Sequence, residues 1–308
     1  MKLLRPLGRW TAKAATVFLA GGLSVRLTVG DTLPGLSALY YATPWSVLAA
    51  SAIFPALLWA RRRQWLAAAG FVLVSLCCGV AWVRDAFRPA TPIGKSSLRV
   101  AYWNVGRPES TLGDVLNVVG DIHADVFGFG ETKKMRGDIP PRPEWLERQP
   151  DKQILPLRRH MLLASPAMAV QLHDGFLNDR GQYALTQTEL HGRKVLILMA
   201  DFDAIIAWSR KPAFDRLIEI IDSIGDEPLI VMGDFNTPSD SAFFAPMRSR
   251  LKDVFETAGR GYAKTWPMPL PVLDLDHIWV SHHFRVVNGE HRTTFLSDHR
   301  PVIADLEF

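Results

Sequence analysis

Five short polar clusters carry side chains able to bind a cation, move a proton or hold a phosphate. They are Trp103-Asn104, Gly130-Glu131, Gly233-Asp234-Phe235-Asn236, Asp274-Leu275-Asp276-His277 and Ser297-Asp298-His299. Carboxylate and amide oxygens suit hard divalent ions, and an imidazole beside carboxylates can act as acid or base near neutral pH. None of the clusters is decisive alone. Gly233 to Asn236 could be a turn closed by its own Asp and Asn side chains. Asn104 or Glu131 could be an end-of-strand cap or a solvated residue, and Ser297 to His299 a cap or turn before Pro301. What joins them is position, because each lies at the end of a short apolar run.

Those runs are Leu98–Trp103, Val126–Phe129, Lys194–Met199, Leu229–Met232, His277–Val280 and Val302–Leu306. Their branched and aromatic content and short length predict β-strands. Between them, Phe214, Leu217, Ile218, Ile221 and Ile224 recur at helical spacing behind Pro212, which predicts an amphipathic helix over Pro212–Ile224. Such alternation is that of an α/β domain over residues 98–308. Strand ends in such a sheet face one rim, where side chains distant in sequence meet.

The 308-residue chain has a net charge of +4 and a pI near 9.1, and its 48% hydrophobic content excludes a disordered chain. The charge divides at Ser96. Residues 1–96 hold eleven Lys or Arg against Asp31 and Asp85, a charge of +9; residues 97–308 carry −5 and all nine histidines. The two cysteines, Cys77 and Cys78, are adjacent within an apolar run, so no disulfide framework is expected. Three apolar stretches precede Ser96. Gln64–Val83 is uncharged and about the 20 residues that a bilayer core requires. Leu36–Ala60 is also uncharged, with Pro44 and Pro55 expected to kink it, and Ala14–Val29 carries Arg26, expected to snorkel if near an end. Residues 1–83 therefore read as an anchor of two to three transmembrane helices and 84–97 as a linker. Arg5, Arg9, Lys13 and the Arg61–Arg63 cluster belong on the cytoplasmic side, which delivers the C-terminal domain to the periplasmic or extracellular side of a multi-pass plasma-membrane protein. Arg84 and Arg88 argue mildly the other way. Met1 to about Leu23 could instead be a cleaved signal, which leaves the same outcome.

In chain order, the WN, GE, GDFN, LDHIWVS and SDHRPV motifs resemble the endonuclease/exonuclease/phosphatase superfamily across Leu98–Phe308. Together with the apolar N-terminus the chain resembles its membrane-anchored bacterial branch, including the group associated with teicoplanin resistance. The resemblance implies a four-layered α/β sandwich, two packed mixed sheets flanked by helices, and a phosphoester hydrolase using Mg²⁺ or Mn²⁺. It assigns Glu131 and Asn104 to the metal site, Asn104 adding its amide oxygen or orienting the site, and Asp298 is either a third ligand or a carboxylate that orients its neighbours. It gives His299 the scissile phosphate and Asp276 the task of holding His299. Asp234 orients or deprotonates the attacking water, and Asn236 holds phosphate.

Two departures stand out. Asp201 occupies the place of a family histidine, so it is expected to meet substrate through a second cation, to signal a leaving group that needs no acid, or to lower activity. Gly130 stands where the family has glutamine. Of the remaining side chains, the pair His282-His283 reads as a loop feature without metal-site spacing, Trp266 and Trp279 as core or rim aromatics, and Arg210 and Lys211 as a phosphate contact or a solvated helix start. A tethered site favours lipid-linked or small phosphoesters. The acidic domain disfavours the alternative of a membrane-tethered nuclease, which needs a basic face for nucleic acid. A non-catalytic binding module with a decayed site is the third reading.

Overall fold

The computed structural model describes residues 4–89, 94–106, 118–132 and 152–308. Two compact units form, Met1–Phe87 with Ile205–Ser209, and Arg88–Ala204 with Arg210–Phe308. The first contains α1 (Leu4–Thr28), α2 (Ser37–Ala42), α3 (Trp45–Arg61) and α4 (Trp65–Ala86). The Leu36–Ala60 stretch, expected as one kinked segment, is divided. Pro44 has no N–H to continue α2, so the chain turns at Thr43 and α3 restarts after Pro44, while Pro55 lies inside α3. Arg26 lies in the last turn of α1. Its Nε and Nη2 donate to the carbonyls of Thr43 and Tyr40, both at 3.0 Å, and its guanidinium lies 4.1 Å over the Tyr40 ring. It thereby serves carbonyls at the end of α2, where the Tyr40 carbonyl also accepts the Thr43 N–H.

Among the described residues one helix, α4, is long and apolar enough to cross a membrane, with a mean hydropathy of 2.3. At 17 residues α3 is shorter, and α1 carries Arg5, Arg9, Lys13 and Arg26. Leu66, Leu73, Leu76 and Val80 of α4 are more than half exposed. The helix continues through Ala86, so Arg84 to Ala86, expected to open the linker, are helical. Residues 90–93 of that linker lie outside the described residues.

The second unit contains β1 (Leu98–Asn104), β2 (Val126–Gly130), β3 (Gln153–Pro156), β4 (Leu162–Ser165), β5 (Val170–Phe176), β6 (Gln182–Leu190) and β7 (Arg193–Asp201). Then come α5 (Lys211–Ile224), β8 (Leu229–Asp234), β9 (Lys252–Asp253), β10 (Asp276–Val280), β11 (Arg285–His291) and β12 (Val302–Glu307). They make two six-stranded sheets, ordered β11-β12-β1-β2-β4-β3 and β9-β10-β8-β7-β6-β5. Both are mixed: β1 with β2 and β7 with β8 are parallel, the other pairs antiparallel. The six expected strands are β1, β2, β7, β8, β10 and β12, each one to three residues longer than its apolar run. Strands β3 to β6, β9 and β11 lie outside the expected runs: polar residues in β3, β5, β6 and β11 mask a two-residue period, β5 being largely exposed, while the buried β4 and the two-residue β9 are short.

Strand periodicity explains the layers, because successive side chains point to opposite faces. Leu98, Val100 and Tyr102 of one sheet meet Ile197, Met199, Ile230, Met232, Ile278 and Val280 of the other. Their neighbours in sequence form the outer layers. Leu196, Leu198, Val231 and Trp279 pack under Phe214, Leu217 and Ile221 of α5, and Ala101, Trp103, Phe127 and Phe129 pack with Val119 and Ile122 of a helical turn. The order is helix, sheet, sheet, helix.

At Gly233 the parallel pair β7 and β8 comes so close that a Cβ would lie 1.8 Å from the Ala200 carbonyl oxygen. Gly233→Ala must therefore force backbone apart beside Asp234. We expect a loss of about 3 kcal/mol, a melting point lower by roughly 6–12 °C, read by thermal unfolding monitored by circular dichroism.

Candidate active site

The inter-sheet face of each central strand runs apolar until its last position. It reads Leu98, Val100, Tyr102, Asn104 along β1, and Val195, Ile197, Met199, Asp201 along β7. Along β8 it is Ile230, Met232, Asp234, and backwards along β10 Val280, Ile278, Asp276. The row of positions that fills the core thus turns polar at one rim. Register sets Asp234 opposite both Asp201 and Asp276, and like charges opposed across strands repel.

Donors answer that repulsion. Asn104 Nδ2 donates to Asp234 Oδ2 at 3.0 Å and lies 3.5 Å from Glu131 Oε1, while Asn104 Oδ1 accepts the Gly106 N–H at 2.9 Å. Gln182, opposite Asp201 on β6, donates to Asp201 Oδ2 at 2.8 Å. His299 Nδ1 stands 2.8 Å from Asp276 Oδ2, and its Nε2 3.9 Å from Asp234 Oδ2. The Asn236 N–H donates to Asp234 Oδ1 at 2.8 Å, and its side-chain amide to the Phe202 carbonyl at 2.8 Å. Glu131 and Asn236 have φ of 53° and 46°, left-handed turns that start just after the strands and keep both residues at the rim.

Burial and neighbours then set the charges. Burial first, then the charge of Asp276, pushes the Asp234 carboxyl up to about 7. Burial works against a charged His299, but the charge and hydrogen bond of Asp276, with Asp234 and Asp298 beyond, lift it to about 10. The pair is a buried imidazolium beside a carboxyl poised near neutrality. Asp234, Asp276 and His299 form a group whose ligand atoms all lie within 4.8 Å of one another, able to hold a metal ion.

The last cluster is locked by its own side chains. Ser297 Oγ donates to the Asn104 carbonyl at 2.8 Å and accepts the His299 N–H at 3.0 Å. Trp103 Nε1 donates to the His299 carbonyl at 3.0 Å, and the Arg300 guanidinium to the carbonyls of Tyr262, Lys264 and His291. Asp298 is exposed and accepts from Trp266 Nε1 at 3.1 Å, so Trp266 is a rim aromatic, whereas Trp279 is core. Arg210 is not solvated: it is buried and donates to the Asp203 carbonyl. His277, on the opposite face from Asp276, is raised to about 9; burial opposes this, but the hydrogen bond to Asp253 prevails, and the residue packs against Phe244 in the outer layer.

A family model described as the endonuclease/exonuclease/phosphatase family matches residues 101–299. The chain belongs to this family. A search of curated proteins found no match. Among solved structures, a mannosyl-6-phosphatase of Bacteroides thetaiotaomicron is similar at 18% identity and a TM-score of 0.54, over 69% of this chain and 100% of that one. The human Nocturnin catalytic domain with bound sulfate follows at 17% and 0.54, over 69% and 94%. A D. rerio TDP2 complexed with a single-strand DNA product matches at 13% and 0.50, over 68% and 99%. At these identities the likeness shows the fold.

Within the family fold, the rim unites Asn104, Glu131, Asp201, Asp234, Asn236, Asp276 and His299. The Asn104 amide is engaged by Asp234, Glu131 and Gly106, the geometry of an orienting group, and Asp298 lies outside the Asp234–Asp276–His299 group while its charge still acts on His299. Tyr102 was missed. A Cβ at Gly130, the family's glutamine position, would meet the Tyr102 hydroxyl at 2.4 Å, so the phenol fills that space. Burial, then the charges of Asp234, Asp276, Asp201 and Glu131, holds it well above its ordinary value and so neutral. The signal was present in the sequence, since Tyr102 sits two residues before Asn104 on the same face.

These values give a pH profile for kcat/KM. If Asp234 is to accept a proton from water it must first lose its own, so the rate is expected to rise as pH passes about 7; if a charged His299 is needed, the rate is expected to fall as pH passes about 10. A rate unchanged between pH 6 and 8 would contradict the role of Asp234.

Proposed function

We propose that this protein is a membrane-anchored, divalent-metal-dependent phosphoester hydrolase whose catalytic domain works outside the cytoplasm on a lipid-linked or small phosphoester. The observation that carries the reading is the His299 imidazole clamped 2.8 Å from Asp276 and 3.9 Å from Asp234, on a rim shared with Glu131 and Asn104. The donors fit a hard cation: they are carboxylate and amide oxygens, and Asp276 Oδ1 is buried without a hydrogen-bond partner. Glu131, with the Asn104 amide beside it, would hold Mg²⁺ or Mn²⁺, which would neutralise phosphate oxygens and acidify water.

The chain's own residues do the rest. Asn104 keeps Glu131 and Asp234 in place. His299, charged by Asp276, binds a non-bridging phosphate oxygen and stabilises charge that develops on it. Asp234 takes the proton of the attacking water, and Asn236, whose backbone N–H fixes Asp234, faces the phosphate. Asp201, tied to Gln182, cannot donate a proton to a departing oxygen unless it first gains one. That favours substrates whose leaving group is already acidic, a pyrophosphate above all. Support for anchoring comes from α4, with its exposed apolar side chains, and orientation rests on the Lys and Arg that flank the helices.

Phosphate release by the full chain is expected to stop on chelation and return with Mg²⁺ or Mn²⁺. Glu131→Ala and His299→Ala are expected to lower kcat by about 10² to 10⁴. Assayed on a panel of lipid pyrophosphates, sugar phosphates and plasmid DNA, Asp201→His should gain most on substrates with poor leaving groups; DNA cleaved as fast as lipid pyrophosphate would make the protein a nuclease. Orientation has its own test. A phosphatase reporter fused after Phe308 should be active only when exported, and activity confined to the cytoplasm would reverse the assignment.

A further inference from the structure

At the rim opposite the active site a second group of ligands converges. Strand β8 begins there at Leu229 and ends six residues later at Asp234, so the two rims are roughly 17 Å apart. Asp226 precedes β8, and His282 and His283 follow β10. His282 Nε2 lies 3.3 Å from Asp226 Oδ1 and His283 Nε2 3.4 Å from the same atom, with the two rings 4.2 Å apart. Adjacent histidines in an extended strand would point to opposite faces. Here the chain has left β10 and turns, and both rings come round to one carboxylate.

Asp226 and His282 are exposed and His283 is partly buried, and two features of the group suit a bound ion. A tetrahedral zinc with bonds of about 2.0–2.2 Å to nitrogen and oxygen sets neighbouring ligands about 3.4 Å apart, the separation both contacts show. The Ser281 hydroxyl accepts the Leu229 N–H at 3.0 Å and points its hydrogen at the Glu227 carbonyl at 3.4 Å, so it receives His283 Nδ1–H at 3.2 Å and leaves Nε2 as the lone-pair nitrogen towards Asp226. The carboxyl end of α5, at Ile224, adds the negative end of a helix dipole.

We propose that Asp226, His282 and His283 form a second metal site, for Zn²⁺ or a similar transition ion, with a fourth position open to solvent. The ion ties the loop before β8 to the loop after β10 and is independent of the hard-cation site at the other rim.

The test uses the full chain in detergent, stripped of metal and held in millimolar Mg²⁺. Zn²⁺ is titrated by calorimetry, and Co²⁺ is followed through its visible absorption. The chain should bind one Zn²⁺ that Glu131→Gln leaves in place, and Co²⁺ should give the intense bands of a four-coordinate site. His282→Ala/His283→Ala and, separately, Asp226→Asn should each weaken that binding at least about ten-fold, and Ser281→Ala less. Melting without zinc checks that each variant is folded. Zinc binding unchanged in both the double variant and Asp226→Asn, or no zinc bound by the unaltered chain, would overturn the proposal.

Discussion

Asp201, Asp234 and Asp276 stand side by side on neighbouring strands, and the rest of the rim is arranged around their repulsion. At a cross-strand spacing of about 5 Å and an effective dielectric of about 20, each adjacent pair of full charges would cost about 3 kcal/mol. That is a large fraction of a domain's stability. The structure meets it with His299 between Asp276 and Asp234, Asn104 on Asp234 from the other sheet, and Gln182 on Asp201. The same arrangement that makes the row tolerable makes it reactive, since it leaves one carboxyl near neutrality and one imidazole charged.

That arrangement requires both sheets. Asn104 and His299 come from the sheet containing β1 and β12, the three aspartates from the sheet containing β7, β8 and β10. The apolar rows beneath them fix the spacing between sheets, so Tyr102, Met199, Met232 and Ile278 are the floor on which the site stands. Gly233 and Gly130 matter for the same reason: the first lets two strands close beside Asp234, the second admits the Tyr102 hydroxyl.

Much of this was legible in the residues. The central strands, α5 and the five clusters that carry the site follow from periodicity and from polar residues at the ends of apolar runs. The family follows from the order of those clusters. Strands β3, β5, β6 and β11 were not legible, because a strand with polar residues on both faces has no hydrophobic period to read, and the buried β4 is only four residues long. Neither was the break at Pro44, where a proline expected to kink one helix separates two. His282 and His283 looked like a loop pair for a related reason, since their meeting with Asp226 depends on a turn whose partner lies more than fifty residues earlier.

The sequence by itself determined which residues could do chemistry, which faces of the strands would be buried, and how charge is divided between a basic, apolar N-terminal part and an acidic α/β domain. These are local properties, set by side-chain type and by periods of two and 3.6. Only the tertiary structure decided that Asn104 orients two carboxylates, that Asp298 stands outside the central group, and that Tyr102 takes the space beside Gly130. Those outcomes depend on register between strands and on the distance between two sheets. Long-range packing fixes both, and no stretch of sequence encodes them alone.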